Sequence, residues 1–256
     1  MTRVETNHLV SGSELVELIS TIPDQPIKGC LLLVHGHQGG ARVGAHAAMS
    51  GQTADHLAGN GWIASAVSQP GYGASTGPPD YCGPRTQNAI TTAYSYLLEN
   101  GADPDQTIVW GVSRGAIATA CAFGSFLASP TLIVLQSGIY DMNAWVKWVE
   151  ENAPGGDEVL TKNILSNVYY EAGTNAAALY ERSGVNFVQD SCSDVLLVHG
   201  RQDDRAPIAQ AEKMRDALAS SGRRVRLEVE TEAGHFLPRG LAMKSARAFR
   251  PELEIP

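Results

Sequence analysis

The sequence predicts an α/β protein built on a mostly parallel, doubly wound sheet covered by helices. Three observations predict it. Apolar runs of strand length alternate with helix-like stretches along the 256 residues, a length that suits one domain spanning 1–256. Several of those runs (LLLV, LIVL, VLLV) are continuously apolar, which implies burial on both faces, as in a parallel sheet between helical layers. The chain is 43% hydrophobic and only 18% charged, so it can bury a large core, and a wholly disordered chain is excluded.

The first strand expected is 15–22. Its ELVELIS pattern alternates, which places it near an antiparallel edge. Further strands are expected at 30–35, 63–68, 107–112, 131–136, 195–199 and 225–229. Helices are expected at 43–60, 86–100, 114–127, 207–221 and 241–249. The stretch 139–190 breaks the alternation. It holds Trp145, Trp148, Tyr169, Tyr170 and Tyr180, and eight acidic residues against three basic ones. It reads as a small helical, lid-like insertion over the sheet's C-terminal edge. The competing reading is a crossover that buries its aromatics and touches no substrate.

Composition narrows the partners. A formal charge of −8 repels phosphate backbones, which argues against nucleic acid. No apolar run is long enough for a signal peptide or a membrane span, so a cytoplasmic protein that binds no membrane is expected. Cys30, Cys82, Cys121 and Cys192 form no CxxC pair, which argues against a zinc site or a redox dithiol. Cys30 and Cys121 sit in apolar runs and read as small core residues. No metal or organic cofactor is implied, and nothing in the sequence specifies an oligomeric state.

The sharpest chemical signal is Gly111-Val-Ser113-Arg-Gly115, where a β-type run meets a small-residue helix. This is the G-x-S-x-G pattern in its strand–turn–helix setting. The glycines leave room for a sharp turn that lifts the Ser113 hydroxyl above the sheet. The first helical N–H groups, beginning with Arg114, then face a developing oxyanion. A serine hydroxyl needs an oriented base. Among the seven histidines, His235 stands in Glu232-Ala-Gly-His-Phe, beyond the last strand, where a loop can reach back to Ser113. The base in turn needs a carboxylate. Asp203 and Asp204 follow the 195–199 strand, and only one of two adjacent acids can point inward; Asp203 is the choice. Ser113, Asp203 and His235 stand in the chain order of the α/β-hydrolases.

With these residues in place, the stretch from Cys30 to His235 resembles an α/β-hydrolase. More narrowly, it is similar to the catalytic domain of the prolyl-oligopeptidase group and its short esterase relatives. The motifs that carry the resemblance are Leu33-Val-His-Gly-His-Gln-Gly-Gly40, Pro70-Gly-Tyr-Gly-Ala-Ser-Thr-Gly77, Gly111 to Gly115, Leu196-Leu-Val-His-Gly-Arg-Gln-Asp203 and Gly234-His-Phe236. It implies an oxyanion hole formed by the backbone N–H groups of His37 and Arg114, with Gly39 and Gly40 letting the loop approach substrate. Tyr72 either lines the pocket or only packs; Trp145 and Trp148 are further candidates for substrate contact. No G-x-G-x-x-G or GK[ST] follows the Gly-rich loop, so it is not read as a nucleotide site.

About 30 residues precede the oxyanion strand, so compact acyl substrates (esters, lactones, thioesters or amino-acid amides) are expected rather than gated peptide cleavage. The expected activity is hydrolysis of a small carboxylic ester, with a small-substrate aminopeptidase or amidase as the alternative. Glu150 and Glu151, beside Trp148, would favour the alternative if they held a substrate amine. A non-enzyme alternative is a catalytically silent ligand receptor. Dehalogenation would need a carboxylate where Ser113 stands.

Overall fold

The computed structural model describes every residue except 1, 40, 50, 51, 153–157 and 239. An eight-stranded sheet is formed by β1 (Arg3–Ser11), β2 (Glu14–Ile22), β3 (Gly29–Val34), β4 (Trp62–Val67), β5 (Thr107–Val112), β6 (Leu132–Gln136), β7 (Asp194–Gly200) and β8 (Val225–Glu230). The order across it is β1-β2-β4-β3-β5-β6-β7-β8. β2 pairs antiparallel with both β1 and β4, and every other neighbouring pair is parallel. β3, β4, β6 and β7 are buried along nearly their whole length, as their unbroken apolar runs require.

β1 goes beyond the strands expected from sequence. It runs along β2 from Arg3↔Ile22 to Ser11↔Glu14 as the sheet's edge. Its half-buried face carries Glu5, Asn7, Leu9 and Ser11, and its exposed face Val4, Thr6, His8 and Val10. With neither face an apolar stripe, the alternation that marks a half-buried strand is missing.

Nine helices are described. α1 (Ala45–Met49) and α2 (Gln52–Gly59) occupy the stretch expected to be one helix, and Ser50 and Gly51 between them lie outside the described residues. α3 (Pro84–Glu99), α4 (Arg114–Cys121), α8 (Ala209–Ser220) and α9 (Leu241–Phe249) cover the sheet. α4 is shorter than expected, passing into a 3-10 turn at Phe123–Ser125 around Gly124, a poor helix former. The insertion comprises α5 (Met142–Asn152), α6 (Glu158–Ala172), α7 (Ala176–Tyr180) and a 3-10 stretch at Gly184–Asp190, with no strand among its described residues.

The insertion shares one core with the sheet. Met142, Trp145, Val149, Val168 and Leu179 pack in the same apolar cluster as Leu32 and Val34 of β3, Ile90 of α3 and Ile117 of α4. The buried Trp145 indole donates its N–H to the Arg205 carbonyl at 2.7 Å, tying α5 to the loop after β7.

Topology selects the site. From β3 the chain crosses to β4 on one side, then through α3 to β5 on the other. The crevice at such a switch lies beyond the C-terminal ends of β3 and β5, where His37 and Ser113 stand. Among the described residues no helix is long and apolar enough to cross a membrane.

Candidate active site

Ser113 sits at the junction of β5 and α4 with φ 53° and ψ −117°. A non-glycine residue at positive φ costs about 1–3 kcal/mol and persists only where its surroundings impose it. Here the packing does so. A Cβ at Gly111 would come 2.7 Å from the Ala116 Cα, and one at Gly115 would come 2.7 Å from the His35 carbonyl oxygen. Both glycines therefore answer to close backbone approach. The Ser113 N–H is held by the Gln136 carbonyl of β6 at 2.8 Å.

The Ser113 hydroxyl lies 3.0 Å from His235 Nε2, and His235 Nδ1 lies 2.9 Å from Asp203 Oδ2 and 3.1 Å from Oδ1. With Nδ1–H donating to the carboxylate, Nε2 is left to accept the serine O–H. Asp203 is buried, and its Oδ1 accepts the backbone N–H groups of Arg205 and Ala206, each at 2.9 Å. Its Oδ2 lies 3.3 Å from His199 Nε2. Burial alone would raise the Asp203 carboxyl, but the hydrogen bonds from His199 and His235 prevail and hold it well below the ordinary carboxylate range. The neighbouring Asp204 is half-exposed, with Arg205 Nε at 4.0 Å.

The loop that carries His235 is clamped from below. Ser137 Oγ–H donates to the His235 carbonyl at 3.1 Å, and the Gln202 N–H donates to the Ala233 carbonyl at 2.9 Å. Gly200 closes the gap, because a Cβ there would collide with the carbonyl oxygens of Ala233 and Gly234. Position 36 acts likewise beside Ser113: a Cβ on Gly36 would lie 3.3 Å from the Ser113 Cβ.

The two matching Leu-Val-His-Gly segments thus serve the site from beneath. His35 is buried, with Nδ1–H donating to the Gly36 carbonyl (2.8 Å) and Nε2 accepting the Gln69 N–H (3.2 Å). His199 is buried and donates from Nε2 to the Ala206 carbonyl at 2.7 Å. Both rings are held by backbone groups below the site, and the histidine that meets the Ser113 hydroxyl is His235.

A cavity of about 30 Å³ opens beside Ser113. Its polar wall is His37, Arg114, Ser137, Arg205 and His235, and its apolar wall is Tyr81, Ile117, Ile139 and Ile164. Broader hollows, such as one of about 540 Å³ between β1 and α3, are lined by none of Ser113, Asp203 and His235. Of the other residues expected to touch substrate, Tyr72 and Trp145 are fully buried and Trp148 half-buried, and none of them lines the cavity. Tyr72 instead accepts a hydrogen bond from Arg114 Nη1 at 3.1 Å and lies 4.9 Å from the His35 ring, tilted 52° to it. Glu150 and Glu151 lie on the exposed face of α5, with Glu151 near Lys147, and neither lines this cavity. Gly39 is exposed, and Gly40 lies outside the described residues.

Two residues of the site carried no mark in the sequence. Glu171 of α6 is buried between Arg114 Nη2 (2.7 Å) and Arg42 Nη2 (3.8 Å), and it accepts the Tyr81 N–H at 3.1 Å. Arg205 lies over the Phe236 ring at 4.9 Å, and its buried Nε–H has no acceptor. The signal for Arg205 is its place directly after the two aspartates; nothing local distinguishes Glu171. Among the described residues no cluster of His, Cys, Asp and Glu is arranged to hold a metal.

The fold and the Ser113 turn define a serine hydrolase of the α/β-hydrolase fold. The chain belongs to the prolyl oligopeptidase family, whose sequence model matches residues 82–252. Among solved structures it is similar to the uncomplexed Pyrococcus horikoshii acylaminoacyl peptidase, with a TM-score of 0.70 at 15% identity, covering 99% of this chain and 41% of that one. A Mycobacterium tuberculosis puromycin-hydrolyzing peptidase gives 0.75 at 19% identity, covering 99% and 39%. A butyrate-bound esterase from Thermogutta terrifontis gives 0.69 at 18% identity, covering 98% and 95%. The chain thus spans about two-fifths of the length of the peptidases and nearly all of the esterase. No curated protein matches it.

Proposed function

We propose that the protein hydrolyses a small carboxylic ester through an acyl-enzyme on Ser113. The observation that carries this reading is the continuous hydrogen-bonded chain from Ser113 Oγ through His235 to the buried Asp203. In the first step a bond forms between Oγ and the substrate carbonyl carbon, while the serine proton passes to His235 Nε2. The N–H groups of Arg114 and His37 hold the oxyanion. Arg114 opens α4, so its N–H has no partner within the helix. Collapse breaks the carbon–oxygen bond to the leaving alkoxide, which takes the proton from His235. Water, deprotonated by His235, then attacks the acyl carbon; the acid leaves and the proton returns to Ser113.

The tight cavity and the likeness to a butyrate-bound esterase support an ester over a peptide. The second reading, a small amide or aminoacyl compound, draws on the family and its peptidase members. A fluorophosphonate probe tests the nucleophile. Labelling should occur at Ser113, and Ser113→Ala should abolish it and lower kcat by about 10⁶. Labelling that survives the substitution would sink the proposal, and none at saturating probe would sink it in favour of the silent receptor. Aryl esters assayed beside aminoacyl arylamides separate the two substrate classes.

A further inference from the structure

We infer that Ile164 of α6 is the residue that limits the length of the acyl chain, and that Glu171 is the positioning residue that holds it there. The inference rests on the acyl-enzyme reading above and adds the substrate class. The cavity beside Ser113 is small, about 30 Å³. With the carbonyl carbon on Ser113 Oγ, the acyl chain runs into that space. The wall it meets is apolar: Ile117 from α4 beneath, Ile139 from the segment after β6, and Ile164 from the insertion. Ile117 and Ile139 belong to the buried core, where rearrangement is expensive, whereas Ile164 is only partly buried against it. Ile164 is therefore the wall that sequence change or movement of α6 can shift.

What keeps it in place lies two turns along the same helix. Residues seven apart on an α-helix share a face, so Ile164 and Glu171 both look toward the elbow. The Glu171 carboxylate, 2% exposed, takes Arg114 Nη2 at 2.7 Å and Nη1 at 3.4 Å, and the Tyr81 N–H at 3.1 Å. Arg114 adjoins Ser113, and Tyr81 is itself part of the cavity wall. A single carboxylate thus fastens the insertion to both the nucleophile turn and the acyl pocket.

The test is the kcat/KM series for p-nitrophenyl acetate, propionate and hexanoate with the full chain. Acetate or propionate should exceed hexanoate by at least about tenfold, the scale of discrimination that one methylene gives in an apolar pocket. Ile164→Ala should raise the hexanoate-to-acetate ratio severalfold. Glu171→Gln should raise the same ratio, a change that mere loss of folded protein would not produce because it scales both rates together. Equal wild-type rates on acetate and hexanoate, or an unchanged ratio in Ile164→Ala, would overturn the inference and leave the hydrolase reading standing. Failure to cleave any of the esters would overturn both.

Discussion

At the scale of single residues, two adjacent aspartates have opposite fates. Asp203 is buried and accepts from two backbone N–H groups and His235, whereas Asp204 is half-exposed. Asp203→Asn should therefore lower kcat by about 10⁴ by spoiling the His235 tautomer. Asp204→Asn should stay within about threefold, and steady-state kinetics on one aryl ester checks both. Burial lowers the His35 pKa from 6.5 to about 4. The unfolded chain then takes up a proton that the folded one refuses. This contribution to stability is complete above pH 6.5 and is lost as pH falls toward 4, by up to about 3 kcal/mol. The lowered Asp203 carboxyl acts in the same direction at more acid pH, since its share is present above the ordinary Asp pKa and is lost below it. Urea unfolding at pH 7 and pH 4.5 should show the loss, reduced by about 2–3 kcal/mol in His35→Gln.

At the scale of elements, the site depends on backbones that approach one another closely. β7 ends on Gly200 directly beneath the loop that carries His235. Gly200→Ala must push that loop upward and away from Ser113. A misplacement of about 1 Å costs roughly a hundredfold in rate, so kcat should fall by about that factor while the far-ultraviolet circular dichroism stays native. A kcat within threefold of wild type would show that the loop finds its place without this contact. The same scale explains why β1 was not legible. A strand at an edge, with mixed residues on both faces, is held by pairing to β2 rather than by an apolar stripe.

At the scale of the whole molecule, the insertion is a structural partner of the sheet rather than a detached flap. Its apolar side chains join the central cluster, and the Arg114–Glu171 pair locks its second helix to the elbow. Removing one member of a buried ion pair strands the other, so Glu171→Ala should destabilise the fold by about 3–5 kcal/mol in equilibrium unfolding. Arg114→Met with Glu171→Met removes both buried charges and leaves only the exposed Arg42 without this partner, so it should recover most of that loss. The parallel strands, the elbow and the order of Ser113, Asp203 and His235 were all readable along the chain. They depend on local signals: unbroken apolar runs, glycines flanking a serine, and an acid and a histidine each following a strand. The roles of His35 and His199 beneath the site, the burial of Tyr72 and Trp145, and the latch at Glu171 were not readable. Each depends on which surface a side chain meets after the helices close over the sheet, and residues far apart in sequence decide that. Local geometry is written into neighbouring residues, whereas the size of the cavity beside Ser113 belongs to the packing of α4, α6 and the segment after β6, which only the folded chain brings together.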